Sequence, residues 1–103
     1  MNELQNNIIK WAKDRGIHYP ENAKNQLLKS FEEMGELSSS LLKGDQAGLK
    51  DAIGDVIVTL IILSSTQGTS ITECLELAWN EIKDRKGKTI NGTFIKESDG
   101  QEC

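Results

Sequence analysis

Apolar residues recur at helical spacing through most of the chain, and the period changes to that of short strands near its end. From Asn2 to about Arg15, Leu4, Ile8, Trp11 and Ala12 form one face, and Gly16 is placed to stop a first helix. His18-Tyr19-Pro20 reads as a connector, because the residue before a proline is pushed away from helical dihedrals. A second helix is predicted from about Glu21 to Lys43. Its stripe runs through Leu27, Phe31, Met34 and Leu41, widened by Leu28 and Leu42, and Gly44 ends it. Asp45 is placed to cap a third helix, which carries Leu49, Ile53, Val56, Ile57, Leu60 and Ile61 to about Gln67 before Gly68. Ser70 with Glu73 has the spacing of a capping box, and Ile71, Leu75, Ala78 and Ile82 give a fourth helix, to about Arg85, its apolar face.

Beyond that point Lys88-Thr89-Ile90 and Thr93-Phe94-Ile95 flank Asn91-Gly92, the strongest short-range hairpin signal. The segment from about Glu97 to Cys103 reads as a polar tail. The expected fold is therefore all-α, with four helices (about 2–15, 21–43, 45–67 and 70–85) and a short hairpin at about 88–96. All 103 residues are assigned to a single domain.

A domain of this size buries only about 60–70% of its unfolded surface, so pairing with a second copy would enlarge a modest core. The net charge of −4, with no long basic run, argues against a nucleic-acid polymer as partner. No basic segment leads into a long apolar run, and Ile61-Ile62-Leu63 falls far short of a membrane span, so neither export nor membrane insertion is expected. Cys74 and Cys103 lack metal-ligand spacing and favour thiols in a reducing, cytoplasmic setting, with Cys74 read as a small buried hydrophobe.

The acids change the picture. Glu32, Glu33 and Glu36 cluster on the second helix, and Asp51 and Asp55 on the third, each group with one glycine among its acids. At about 100° per residue the three glutamates fall away from the Leu27–Leu41 stripe, as on any solvated helix face. Asp51 and Asp55 do not fit that account. They share a stripe with Val58 and Ile62 on a helix that is apolar nearly all round from Val56 to Leu63, so some surface must cover them: the acidic face of helix two, a second subunit, or both. Facing acids without a cation repel and raise one another's pKa. An all-oxygen ligand set selects a hard ion, magnesium or manganese, over zinc.

At these residues the chain resembles the MazG-like all-α nucleoside triphosphate pyrophosphohydrolases. Glu32-Glu33-Met34-Gly35-Glu36 matches the family's first acidic motif and Gly54-Asp55-Val56 part of its second, but Ala52 stands where a glutamate is usual. The segment Trp79 to Gly87, with Asn80, Lys83 and Arg85, is similar to the family's last helix, and the hairpin resembles the tail of its compact bacterial and phage members. The resemblance implies a four-helix bundle completed by homodimerisation, or a dimer of dimers. It implies magnesium-dependent cleavage of a ribo- or deoxynucleoside triphosphate into monophosphate and pyrophosphate, for nucleotide-pool house-cleaning. In this chain Glu33, Glu36 and Asp55 would be the principal metal ligands, with Asp51 assisting. Glu33 and Glu32 would form the catalytic pair, with Glu32 activating water or serving as an additional ligand. Asn80, Lys83, Arg85 and, more weakly, Lys29 would contact phosphate. Two alternatives stand beside it: a catalytically degenerate helical module that binds nucleotide or protein, and a phosphoribosyl-ATP pyrophosphatase-like enzyme.

Overall fold

The computed structural model describes residues 2–97. It contains four helices, α1 (Asn2–Asp14), α2 (Ala23–Lys43), α3 (Gln46–Thr66) and α4 (Ile71–Ile82), and the strands β1 (Gly87–Ile90) and β2 (Thr93–Lys96). The predicted tail lies, past Glu97, outside the described residues. None of the described helices is long and apolar enough to cross a membrane. The chain divides into two compact units, one through Thr72 and one from Glu73 onward, each described by itself.

In the first unit α2 and α3 lie against each other along their length, and α1 packs on α3. The link between α2 and α3 is short because both its residues are suited to it. Gly44 takes the left-handed conformation (φ 70°), and Asp45 N–H then reaches back to the Ser40 carbonyl at 2.9 Å, closing α2. The Asp45 side chain accepts from Gly48 N–H at 3.0 Å and opens α3. Gly48 must be small here, since a β-carbon would run into the Asp45 carboxylate. Before α2 the chain makes a single 3₁₀ turn at Pro20–Asn22, where a continuous helix from Glu21 is expected. Tyr19 N–H donates to Asn22 Oδ1 at 3.0 Å, and that local bond competes with the first helical turn.

The core centres on α3, with Ala52, Ile61 and Ile62 buried in it and Ala12 on α1. The stripe that carries the aspartates sinks progressively along the helix: Asp51 is exposed, Asp55 and Val58 are half-buried, and Ile62 is buried. Small polar residues fill the rest of the contact and satisfy themselves within their own helices. The hydroxyls of Ser30, Thr59 and Ser64 donate to the Leu27, Val56 and Ile61 carbonyls at 2.6–2.7 Å. Gln5 near the start of α1 donates to Oγ1 of Thr72, the last residue of this unit, at 3.0 Å.

One expectation is reversed. The Leu27, Phe31, Met34 and Leu41 stripe of α2 does not face the chain's own core: Phe31 is 64% exposed and Leu41 61%. α2 turns its polar side to α3 instead, burying Ser30 and Glu33.

In the second unit every residue of α4 from Glu73 is exposed, including Leu75 and Trp79. Cys74 is thus exposed rather than the buried hydrophobe expected. α4 stops at Ile82, three residues short of the sequence pattern, as Arg85 N–H closes onto the Ile82 carbonyl in a turn. The hairpin has the expected geometry. Asn91 (φ 50°) and Gly92 (φ 79°) form the two-residue turn, and Ile90 pairs with Thr93 across it.

Because one side chain caps α3 at the only short link between the two packed helices, Asp45→Ala is expected to destabilise the fold by about 1 kcal/mol. Urea unfolding followed by circular dichroism measures this. An unchanged midpoint would show that the cap carries no stability.

Candidate metal centre

Antiparallel packing of α2 on α3 sets the middle of one helix beside the first half of the other. Glu33 and Glu36, one turn apart on α2, therefore meet Asp55 on α3. One carboxylate oxygen from each lies within 4.8 Å of the other two, a spacing suited to a shared metal ion. The three differ in access: Glu33 is buried, at 7% exposure, Asp55 half-buried and Glu36 exposed. Glu33 Oε2 is buried with no hydrogen-bond partner. A buried carboxylate oxygen without a donor is costly, and a cation bound to it would remove that cost.

Charge and burial act together on these groups. Burial pushes the Glu33 pKa above its ordinary value, and the adjacent Glu36 carboxyl adds to the rise while Lys29 opposes it. Asp55 is raised by burial first, then by the charges of Asp51 and Glu33, with Lys29 again opposing. Lys29 Nζ sits 3.5 Å from Glu32 Oε2 and 3.7 Å from Glu33 Oε1. These carboxylates, Glu32 foremost, hold the ammonium's pKa above the usual lysine value.

The structure thus joins three of the residues singled out in the sequence. Glu32 lies outside the triad, mostly exposed and paired with Lys29. Asp51 is also outside it and exposed, though near enough for its charge to act on Asp55. Ala52, one turn before Asp55, is 3% exposed and offers no ligand atom from the buried face of α3. Lys29 was undervalued by sequence reasoning. Its spacing of three and four residues from Glu32 and Glu33 is the signal that places it against both.

Asn80, Lys83 and Arg85 belong to the second unit and are described there alone. Asn80 and Lys83 are exposed on and just after α4, and Arg85 Nη2 lies 3.7 Å from Glu81 Oε1. A shallow cleft of about 350 Å³ opens among Asp84, Arg85, Lys86, Lys96 and Glu97. Near the start of the chain, Arg15 lies over the Trp11 ring at 4.1 Å, and the His18 and Tyr19 rings meet at 4.3 Å with His18 Nδ1 buried and unpartnered.

No family model and no solved structure matches the chain. Among curated proteins, an uncharacterised 18.2 kDa protein of the rep–hol intergenic region of Haemophilus phage HP1 is 38% identical over 64 residues. The match covers 62% of this chain and 39% of that protein.

The raised carboxyls set a pH dependence. A carboxyl whose folded pKa exceeds its unfolded one adds stability below the unfolded value and loses it as pH rises through the folded value, so the metal-free fold weakens on that rise. A divalent cation competes with the same protons, so its stabilising effect should be greater at about pH 7.5 than at about pH 5. Glu33→Gln should abolish the difference. Thermal melts in magnesium and in EDTA at both pH values check this, and equal melts throughout would remove the metal centre.

Proposed function

We propose that the chain is a magnesium-dependent pyrophosphohydrolase of a ribo- or deoxynucleoside triphosphate, acting in the cytoplasm on the nucleotide pool. The buried, unpartnered Glu33 Oε2 in a cluster with Glu36 and Asp55 is the observation that carries the reading. The all-oxygen donor set suits magnesium, with manganese as a substitute. Glu33, Glu36 and Asp55 hold the ion. When bound, it neutralises phosphate charge and polarises the phosphoryl group.

Glu32 is exposed, adjacent to the ligands and outside the triad, so its carboxylate is available as general base. It takes a proton from the attacking water as the water oxygen bonds to phosphorus. The bridging oxygen between the α and β phosphates is released, giving monophosphate and pyrophosphate. Lys29 fixes the Glu32 carboxylate and offers a positive charge to the phosphates. Asn80, Lys83 and Arg85 keep the phosphate-binding role that the resemblance implies, with Arg85 at the edge of a cleft that also contains Lys86 and Lys96.

The functional form is a homodimer or a dimer of dimers. Supporting this, one face of α2 leaves Leu27, Phe31, Met34 and Leu41 exposed, an apolar stripe along one helix of the kind that marks an interaction surface. A second reading, a degenerate module that binds nucleotide or protein without turnover, is favoured by the buried Ala52 at the usual glutamate position.

Pyrophosphate release from a panel of ribo- and deoxynucleoside triphosphates is expected with magnesium, and Glu33→Gln should lower the rate more than about 100-fold. Nucleotide binding with no turnover by the unaltered chain would establish the second reading instead. Light scattering behind size exclusion should give a mass of two or four chains, and Phe31→Lys should reduce it. A monomer at micromolar concentration would remove the oligomer.

A further inference from the structure

We infer that the centre takes one divalent cation per chain, with the Lys29 ammonium occupying the place of a second. The inference rests on the metal reading above and concerns what this chain does in the absence of a fourth inward carboxylate. Three observations carry it. The oxygens of Glu33, Glu36 and Asp55 converge on one another within 4.8 Å, so the triad encloses one ion's space. Ala52 is buried one turn before Asp55, and its methyl supplies none of the oxygen that a second ion needs from α3. The remaining acids do not make up the deficit while Lys29 stands, since the ammonium sits 3.5 Å from Glu32 and Asp51 lies exposed outside the triad.

The two oxygens of Glu33 have different surroundings. Oε1 lies 3.7 Å from Lys29 Nζ, while Oε2 is the buried atom with no partner. Lys29 also reaches Glu32 at 3.5 Å, and its charge is felt by Asp55 on the opposite helix. The ammonium therefore lies beside Oε1 and leaves Oε2 for metal. Oxygen supply agrees: the three carboxylates of the triad suffice for one divalent ion that keeps waters, and leave too few ligands for a second.

Manganese binding to the intact protein tests this without reference to activity. Calorimetric titration should give one ion per chain, and electron paramagnetic resonance of the loaded protein should show an isolated six-line signal with no spin coupling. Lys29→Gln, an exposed change that leaves the helix contact intact, frees Glu32 and Glu33 Oε1 and should raise the count to two with a coupled signal. Two coupled ions in the unaltered protein would overturn the inference, as would a Lys29→Gln protein that still binds one. No manganese binding at all would overturn the metal reading itself, so the two failures are distinguishable.

Discussion

Repulsion among carboxylates held together by helix packing is the constraint on which the rest of the first unit turns. Contact between α2 and α3 needs close approach, and small residues provide it: Ser30 on one side, Ala52 and Thr59 on the other. The hydroxyls bond to their own helices, so the contact is polar without being unsatisfied. Glu33 is the exception. It is buried in the same contact, one oxygen steadied by Lys29 and the other left without a partner, and it sits where Asp55 and Glu36 add charge of the same sign. Packing that brings such groups together opposes its own stability until something positive arrives.

That constraint makes the inverted amphipathicity of α2 costly for the chain alone. An isolated amphipathic helix would bury Leu27, Phe31, Met34 and Leu41 and leave the acids in water, yet Phe31 is exposed and Glu33 buried. The inversion is consistent with a chain whose apolar face meets another chain and whose acidic face meets a cation. On the reading proposed above, both faces are covered, by different partners.

The sequence was legible wherever structure is decided locally. Gly44 and Asp45 close one helix and cap the next with bonds spanning a few residues, and Asn91-Gly92 turns the hairpin through two positive φ angles that those residue types tolerate. The meeting of the two acidic clusters was legible too, because the buried stripe of α3 required a cover, whereas singling out Glu33, Glu36 and Asp55 from the five acids came from the resemblance and not from helical spacing. The burial of α2 was not legible. Periodicity shows that a helix has two unlike faces, but which face turns to the chain's own core depends on what else covers the other, and that is not written in one helix. The 3₁₀ turn at Pro20–Asn22 and the early end of α4 were missed for a smaller reason, a few competing hydrogen bonds at helix ends.

Two glycines give the last step of the argument. Gly35 and Gly54 lie in the interiors of α2 and α3, each next to an acid of the triad, where glycine costs about 1 kcal/mol relative to alanine. Neither has a positive φ, and a β-carbon built on either meets nothing in the chain within 4 Å. Backbone geometry and internal packing therefore give no reason for them, unlike Gly44, whose φ of 70° does, or Gly48, which would collide with its own cap. At about 100° per residue Gly35 falls on the side of α2 that carries the exposed Leu28, Phe31 and Leu42, so its bare surface admits close approach to the apolar face and not to the carboxylates. On the reading proposed here, the helix stability given up at Gly35 lets a second chain come close against the apolar face of α2.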